Sequence, residues 1–271
     1  MNLEVLAAFF RKRKDEDIIG LVRTAPTSRY VRIAWFLYEW LLDRRLDLPD
    51  LEQGNYLPVL DPELFYALPE GAAAHRVRRQ RVIDNLPGTR EWCPMLRRTD
   101  ALRRFEDSRL DLRLAEKMAR YPESLLTRAS QFLYSKETKS SWAIEKLTAD
   151  ARRTARFVEL LRMSGTLELR SEAALVRLQN AIVDERYAAE GFRTSQNYVG
   201  QSLGSGREWI QYVPPRPEDL PSLMAGWMES WAEMEKYALH PVALAAAIGF
   251  GFVFLHPFDD GNGRLHRFIL H

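Results

Sequence analysis

The sequence predicts a mainly α-helical protein with a prominent β-hairpin in its C-terminal half. Apolar residues recur at spacings of three and four over long stretches, as they do on one face of a helix. Between Phe192 and Tyr212 the pattern changes, because aromatic and β-branched residues there flank Gly200, Gly204 and Gly206. That composition is typical of two strands joined by a glycine-rich turn.

The N-terminal half predicts helices separated by loops. One helix is expected between Tyr30 and Leu46, and its apolar face would consist of Tyr30, Ile33, Ala34, Leu37 and Leu41. The stretch Asn85-Leu86-Pro87-Gly88-Thr89 indicates the turn of a further β-hairpin. Helical patterns then cover about residues 101–163, with an interruption near Pro122, and about residues 171–189.

Two further helices are expected near the C-terminus. The first buries one face, which carries Leu220, Leu223, Met224, Trp227 and Trp231. The second opens at His240-Pro241 and is apolar all round as far as Leu255, which predicts a helix buried at the centre of its domain. We place the domain boundary near residue 130, between a mostly helical region 1–130 and a second domain 131–271.

Composition excludes several classes of protein. The 271 residues include 39 Lys and Arg against 37 Asp and Glu, so a globally basic nucleic-acid binder is excluded. The lone Cys93 excludes an internal disulfide and is expected to be inert. The longest apolar run, residues 242–255, falls short of the ~20 residues that span a bilayer, and the N-terminus lacks the order of a secretory signal. We therefore expect a cytoplasmic protein without a membrane partner.

The most informative residues follow the apolar helix. Pro257 is expected to stop that helix, and Gly261-Asn262-Gly263 leads into the start of another. Unpaired backbone N–H groups at a helix N-terminus bind anions, and glycine lets phosphate oxygens approach the backbone closely. The loop therefore predicts a phosphate site.

The neighbouring side chains suit the same chemistry. Arg264 and Arg267 lie three residues apart, hence on one helix face, and their guanidinium groups can clamp phosphate oxygens. Asp260 precedes the loop, and Mg²⁺ near polyphosphate prefers one or two carboxylates. His256 ends the apolar helix, and its ordinary pKa of about 6.5 suits a general base.

Residues 256–267 match every fixed position of the motif H-x-F-x-[DE]-G-N-G-R-x-x-R, and the chain therefore resembles the Fic family. Other segments resemble the family in the same order along the chain, so that the resemblance covers about residues 135–271. These segments are Gly191-Phe192-Arg193, Tyr212-Val213-Pro214-Pro215, Leu223-Met224 and His240-Pro241.

The resemblance implies a Fic-type helical bundle with a β-hairpin flap over the active site, and transfer of AMP from ATP to a Tyr, Thr or Ser hydroxyl of a target protein. It implies that His256 is the base, that Asp260 holds Mg²⁺, and that the catalytic loop 256–267 binds the phosphates. The phosphate-binding residues would be Gly261, Asn262, Gly263, Arg264 and Arg267. The flap, about residues 197–213, would dock an extended target segment through Tyr198, Val199, Ile210 and Tyr212.

Ser141-Trp142-Ala143-Ile144-Glu145-Lys146 resembles the inhibitory motif of the family, [ST]-x-x-x-E-[GN], on a helix expected at about 138–162. The resemblance implies that Glu145 pairs with Arg267 and occupies the place of the γ-phosphate. Lys146 departs from the pattern, which has Gly or Asn there. Ser141 and Glu145 share one helix face, and we expect them to act as a built-in brake.

Several alternatives stay open at this point. The same site could remove AMP, or could transfer UMP, phosphocholine or phosphate. A metal-dependent hydrolase would use His240, His256, His266 and Asp259 or Asp260. A regulatory binding module would use residues 76–104. This stretch contains nine arginines and three carboxylates and could contact nucleic acid.

The partners expected from the sequence are ATP and an unidentified target protein, which could be the chain itself. A homo-oligomer is also expected. The chain ends at His271, four residues after Arg267, inside a predicted helix. We therefore expect the native domain to continue beyond this residue.

Overall fold

The computed structural model describes residues 1–69, 75–144, 151–204, 206–237 and 239–271. Contacts between residues divide the chain into two compact units. The first unit is Met1–Arg98 with Glu229–Leu244, and the second is Thr99–Met228 with Ala245–His271. This division does not test the domain boundary near residue 130, which stays a prediction.

The described residues of the first unit up to Arg98 pack three helices and a small sheet. Its helices are α1 (Leu3–Arg11), α2 (Asp15–Thr24) and α3 (Arg29–Leu42), and its strands are β1 (Leu57–Pro58), β2 (His75–Val77) and β3 (Val82–Asp84). Strand β3 is central, since it pairs in parallel with β1 and antiparallel with β2. Trp35 and Tyr38 of α3 and Val82 of β3 are fully buried in the core of this unit.

Helix α3 forms where the sequence predicts a helix, and the predicted face is right in part, since Leu37 is buried and Ile33 and Leu41 pack against the core. Tyr30 is 81% exposed, whereas Val31, Trp35 and Tyr38 are buried. The helix carries apolar residues on more than one side, so periodicity alone does not select the buried face. The large rings of Trp35 and Tyr38 select it, because they remove the most apolar surface from water.

The β-hairpin predicted around Asn85-Leu86-Pro87-Gly88-Thr89 is wrong. The strands that pair are β2 and β3, and residues 78–81 turn between them. Asn85 instead holds the backbone of Leu60, whose N–H donates to Oδ1 at 2.8 Å and whose carbonyl accepts from Nδ2 at 2.8 Å. The turn-like composition of residues 85–89 therefore reflects a loop whose conformation is fixed by the side-chain amide of Asn85.

The arginine-rich stretch is partly structural. Arg79 is nearly buried and forms an ion pair with Glu39 at 2.9 Å, and it also donates to the Leu48 carbonyl at 2.6 Å. Arg81 donates to the Gly54 carbonyl at 2.6 Å. These guanidinium groups are engaged within the unit, which argues against nucleic-acid binding by this stretch.

Burial raises the pKa of the Cys93 thiol, as expected for an inert cysteine.

The second unit carries most of the remaining helices and a two-stranded sheet. Its elements, in chain order, are α4 (Asp100–Asp107), α5 (Leu110–Met118), α6 (Glu123–Ile144), α7 (Ala151–Met163), α8 (Glu172–Ile182), β4 (Val199–Gly204), β5 (Arg207–Tyr212), and parts of α9 (Leu220–Lys236) and α10 (Pro241–Leu255), followed by α11 (Asn262–Ile269). Strands β4 and β5 form the predicted hairpin. The mainly α-helical fold with a small hairpin is confirmed.

The apolar composition of α10 predicts a helix that is buried on every side, and this prediction is wrong. Leu255 and Phe252 are fully buried, but Val242 is 45% and Phe250 67% exposed. A uniformly apolar helix gives no periodicity from which to identify an outward face. Across the described residues, every helix is too short or too polar to cross a membrane.

Candidate active site

His256 lies directly after the last turn of α10. Its backbone N–H still donates to the Phe252 carbonyl at 2.9 Å, but its φ of +51° lies in the left-handed region and ends the helix. Its Nδ1 lies 3.3 Å from the Val253 carbonyl oxygen. Because a carbonyl oxygen can only accept, Nδ1 carries the proton in this contact, and the lone pair of the neutral ring is on Nε2.

The environment of His256 favours the neutral ring. Burial lowers the pKa of the imidazole, and the nearby charge of Arg193 lowers it further, while the Val253 carbonyl opposes the shift. Both the burial and the charge therefore favour the neutral imidazole over the imidazolium. An unprotonated Nε2 can accept a proton from a hydroxyl group.

The loop after His256 is fixed from inside by Asn262. The Phe258 N–H donates to Oδ1 of Asn262 at 3.0 Å, and Nδ2 of Asn262 donates to the Phe258 carbonyl at 2.6 Å. Both residues are buried. Gly261 has a φ of +91°, and a Cβ there would lie 2.6 Å from Cγ1 of Val183. This position therefore requires glycine.

Helix α11 begins at Asn262 with backbone donors available. The Gly261 N–H donates to Oδ1 of Asp260 at 2.7 Å. Within the part of the chain that the structure describes, the N–H groups of Asn262 and Gly263 have no intrahelical acceptor, as at any helix start. The Asn262 side chain is engaged with the loop, so phosphate binding by this residue would use its backbone.

Arg264 lies beneath the loop with its side chain 2% exposed. Its Nη2 contacts both carboxylate oxygens of Asp260, at 2.9 and 3.0 Å. Asp260 thus accepts from a loop N–H and from a guanidinium, two of the groups that the sequence assigns to phosphate binding. Arg267 is partly buried one turn further along α11.

The residues present fit a magnesium ion at Asp260. Its side chain is 36% exposed, and it adjoins the available backbone donors of α11. Mg²⁺ commonly takes one protein carboxylate together with phosphate oxygens and water. Among the described residues, no three His, Cys, Asp or Glu side chains come together as metal ligands, so these residues do not assemble the predicted hydrolase centre.

The flap is an exposed hairpin whose pairing is interrupted by two register shifts. Val199 pairs with Tyr212, and Gly200 pairs with Ile210 after a bulge. Tyr198 and Ile210 are 46% and 51% exposed. The Tyr198 hydroxyl donates to Glu208 across the hairpin. Val199 and Tyr212 are partly buried at the base of the hairpin.

The predicted brake is not described by the structure. Ser141 lies in α6, and Glu145 lies outside the described residues. The Glu145–Arg267 ion pair therefore stays a prediction.

Two buried polar residues organise the site although the sequence analysis assigned neither of them a role, and Arg193 was named only within a family-like segment. Arg193 donates from Nε to the His256 carbonyl at 2.9 Å. Gln179 of α8 donates from Nε2 to the Asp260 carbonyl at 3.2 Å. A signal existed for Gln179, because it lies four residues after Leu175 on the apolar face of α8, where a polar side chain needs buried partners.

Comparison with known proteins agrees with the motif. Residues 169–271 match the model of the Fic/DOC family. Curated relatives named "Protein adenylyltransferase Fic" are 40% identical over 80 residues in Aedes aegypti, 41% over 80 in Drosophila grimshawi and 39% over 59 in Nematostella vectensis. These alignments cover 29%, 29% and 22% of this chain and 14% of each relative. The chain thus matches about one seventh of the length of these relatives.

Two solved structures resemble this chain. A Fic domain containing signaling protein from Bacteroides thetaiotaomicron VPI-5482 has 20% identity and a TM-score of 0.41, over 55% of this chain and 65% of that chain. A Fic family protein from Desulfovibrio desulfuricans G20 has 19% identity and a TM-score of 0.35, over 53% of this chain and 46% of that chain.

Proposed function

We propose that this chain, whose residues 169–271 match the model of the Fic/DOC family, transfers AMP from ATP to a hydroxyl of a target protein. One observation carries the proposal. A single loop places an imidazole with an available Nε2 at one end, and at the other end a helix N-terminus backed by Arg264. A base and an anion site on one rigid loop are what nucleotidyl transfer to a hydroxyl requires.

The chemistry assigned to His256 is general-base catalysis. Nε2 accepts the proton of a Tyr, Thr or Ser hydroxyl as the hydroxyl oxygen forms a bond to the α-phosphorus of ATP. The bond from that phosphorus to the bridging oxygen of the β-phosphate breaks, and pyrophosphate leaves with the electron pair. Such a base contributes about 10²–10⁴-fold to the rate.

We assign the phosphates to the start of α11. The backbone N–H groups of Asn262 and Gly263 would donate to phosphate oxygens, and Arg264 and Arg267 would neutralise their charge. Asp260 would hold Mg²⁺, which supplies further neutralisation of the phosphates when bound. Because Asp260 already accepts from Gly261 and Arg264, it keeps these donors together before nucleotide binds.

We assign target docking to the flap. An exposed two-stranded hairpin has free backbone edges that can pair with an extended segment, while exposed side chains such as Ile210 contact it. The acceptor could be a separate protein or the chain itself. A cytoplasmic location and a homo-oligomer stay predictions from the sequence.

Labelled nucleotides test the activity directly. The purified chain is incubated with Mg²⁺ and a cell lysate, with ATP labelled at either the α- or the γ-phosphate. AMP transfer labels protein from α-labelled ATP alone, whereas phosphate transfer labels from γ-labelled ATP. His256→Ala should abolish labelling, and His75→Ala, a change of an exposed histidine in β2, should not. Equal labelling by the chain and its His256→Ala variant would refute the proposal.

The same assay gives a pH dependence. Because burial lowers the pKa of His256 below its ordinary value, the base is already neutral around pH 7. The transfer rate should rise with pH on the acid side, with its midpoint below the ordinary imidazole pKa of about 6.5. A rate that still rises steeply above pH 7 would contradict this assignment of the base.

We also propose that Glu145 restrains the enzyme, on the basis of its sequence motif. Glu145→Gly should raise the rate of AMP transfer, because the carboxylate would no longer compete with the γ-phosphate for Arg267. A matched change, Glu159→Gly in α7, should not raise the rate. Equal rates for the chain and the Glu145→Gly variant would exclude the brake.

A further inference from the structure

The C-terminal end of α10 is capped by the base of the flap. The last carbonyl groups of a helix have no intrahelical partner, so other groups must donate to them. The Tyr212 hydroxyl donates to the Phe254 carbonyl at 2.7 Å. Beyond the helix, Nδ2 of Asn197 donates to the Phe258 carbonyl at 3.2 Å. Hydrogen-bond donors that precede β4 and that end β5 therefore both reach the segment that carries His256.

Arg193 makes the most extensive of these connections. It is 5% exposed, and its backbone N–H donates to the Pro257 carbonyl at 2.8 Å. Its guanidinium donates to three carbonyls, those of His256 at 2.9 Å, Ser195 at 3.0 Å and Pro215 at 2.5 Å. The planar guanidinium group of Arg193 thus connects the catalytic loop to the segment before the flap and to the segment after it.

The backbone at His256 needs such support. A non-glycine residue at φ +51° is in a sparsely populated conformation that persists when its surroundings fix it. Three hydrogen bonds fix this residue, since its N–H, its Nδ1 and its carbonyl each have a partner. The carbonyl bond is the one that comes from outside α10. A cation is also favourable at a helix C-terminus.

We propose that Arg193 is a positioning residue for AMP transfer, because it holds the imidazole of His256 in register with both ends of the flap. The hydrogen bonds that the structure describes for Arg193 end on carbonyls of the catalytic loop and of the chain beside the flap, so it acts on the base and the acceptor rather than on the nucleotide. The proposal rests on the function proposed above, in which the flap presents the hydroxyl and His256 removes its proton.

Charged and titratable groups near His256 come from the flap base and from its own loop. The field of Arg193 reaches the imidazole, and Asp259 and Tyr212 act in turn on Arg193. The cation opposes protonation of the ring, so its removal shifts the protonation of His256 to higher pH. A lysine keeps the charge but not the planar set of donors.

Two substitutions separate charge from geometry. R193Q removes the charge and most donors, and R193K keeps the charge. R216Q is the matched control, because Arg216 is an exposed arginine that follows the flap and pairs with Asp219 at 2.9 Å. The measurements are kcat and KM for MgATP in AMP transfer, the pH dependence of the rate, and the titration of His256 by NMR of the full chain with labelled histidine. His256→Ala assigns the His256 signal.

We expect R193Q to lower kcat by about 10²-fold, the size that follows from misplacing a reacting group by about 1 Å, with KM for MgATP unchanged. We expect its acid limb and its NMR titration to move to higher pH, and R193K to restore the wild-type titration while kcat stays reduced. R216Q should behave as the wild type. A folded R193Q with wild-type kcat and titration overturns the proposal.

Two further outcomes are also decisive. If R193Q does not fold, R193K is tested alone. A wild-type kcat in R193K overturns the proposal, and a reduced kcat with the wild-type pH dependence supports it. If the wild-type chain transfers no AMP, the proposed function fails, and the NMR titration still tests Arg193. An unchanged titration of His256 in R193Q then overturns the contact between Arg193 and the base.

Discussion

The two hairpins in the described part of the chain have the same secondary structure and opposite environments. In the first unit, β3 buries Val82 and Ile83, which are 0% and 3% exposed. In the second unit, no described residue of β4 or β5 is buried, and Leu203 and Trp209 are 65% and 57% exposed. The first hairpin is stabilised by a hydrophobic core, whereas the flap is stabilised by strand pairing and by the hydrogen bonds at its base.

The difference indicates what each hairpin is for. Apolar side chains that stay exposed on a hairpin contribute little to folding, so their identity is explained better by contact with another chain. The bonds of the flap base end on the carbonyls of His256, Phe254 and Phe258, next to the base and the anion loop. On the proposed function, a partner bound to the flap would be held by the same network that holds His256.

The largest contrast should come from matched isoleucines. Ile83→Ala removes a buried side chain from the core of the first unit and should lower the free energy of unfolding by about 2–5 kcal/mol. Ile210→Ala removes an exposed side chain and should change stability by less than about 0.5 kcal/mol, while AMP transfer to a protein target falls. Urea denaturation measures the first effect and α-labelled ATP the second.

Two outcomes for Ile210→Ala would contradict this comparison of the hairpins. A strong loss of stability in Ile210→Ala would show that the flap has a core of its own. Wild-type transfer by Ile210→Ala would remove this residue from the docking surface, and the exposed side chains of Leu203 and Trp209 would then be tested in the same way.

The next contrast uses two asparagines that do the same structural job. Asn85 binds the N–H and the carbonyl of Leu60, and Asn262 binds the N–H and the carbonyl of Phe258. Alanine at Asn85 leaves the N–H and the carbonyl of Leu60 without these partners, whereas alanine at Asn262 removes the partner of the Phe258 N–H and leaves the Phe258 carbonyl with the Asn197 bond. Each change should cost about 1–3 kcal/mol of stability. Thermal unfolding at matched concentration measures both costs.

The two variants should differ in activity. Asn262→Ala releases the loop that joins His256 to the start of α11, so AMP transfer should be lost even under conditions where the variant is folded. Asn85→Ala should transfer AMP at the wild-type rate when it is folded. If both variants lost transfer equally, the first unit would have a part in the reaction that its hydrogen bonds do not indicate.

The same asparagines show what the sequence could and could not predict. The motif around Asn262 has fixed neighbours, and it predicted a loop between two helices, with His256 before it and Arg264 after it, where the structure has them. The Asn85 segment has a similar turn-like composition and no motif, and its hairpin was predicted in the wrong place. Local composition reports a tendency to turn, while the partner of a side-chain amide is set by tertiary contacts.

Burial and long-range polar contacts account for the other differences. The flap was predicted from aromatic and β-branched residues that flank glycines, which are local signals. Arg193 joins segments that are 63 residues apart along the chain, and no local pattern encodes such a contact. The outward face of α10 was missed for the converse reason, since Phe250 and Phe252 are alike in the sequence and differ in what covers them.

The smallest contrast lies within the flap, between two tyrosine hydroxyls. The Tyr212 hydroxyl donates to the Phe254 carbonyl at 2.7 Å in a partly buried place, whereas the Tyr198 hydroxyl donates to Glu208 on the exposed hairpin. Tyr212→Phe should lower stability by about 0.5–1.5 kcal/mol and slow AMP transfer, because α10 loses one of the donors at its C-terminal end. Tyr198→Phe should leave stability unchanged, because water replaces an exposed hydrogen bond at little cost. Differential scanning calorimetry of the two variants decides this point, and equal losses would mean that the stability of the flap does not depend on its base.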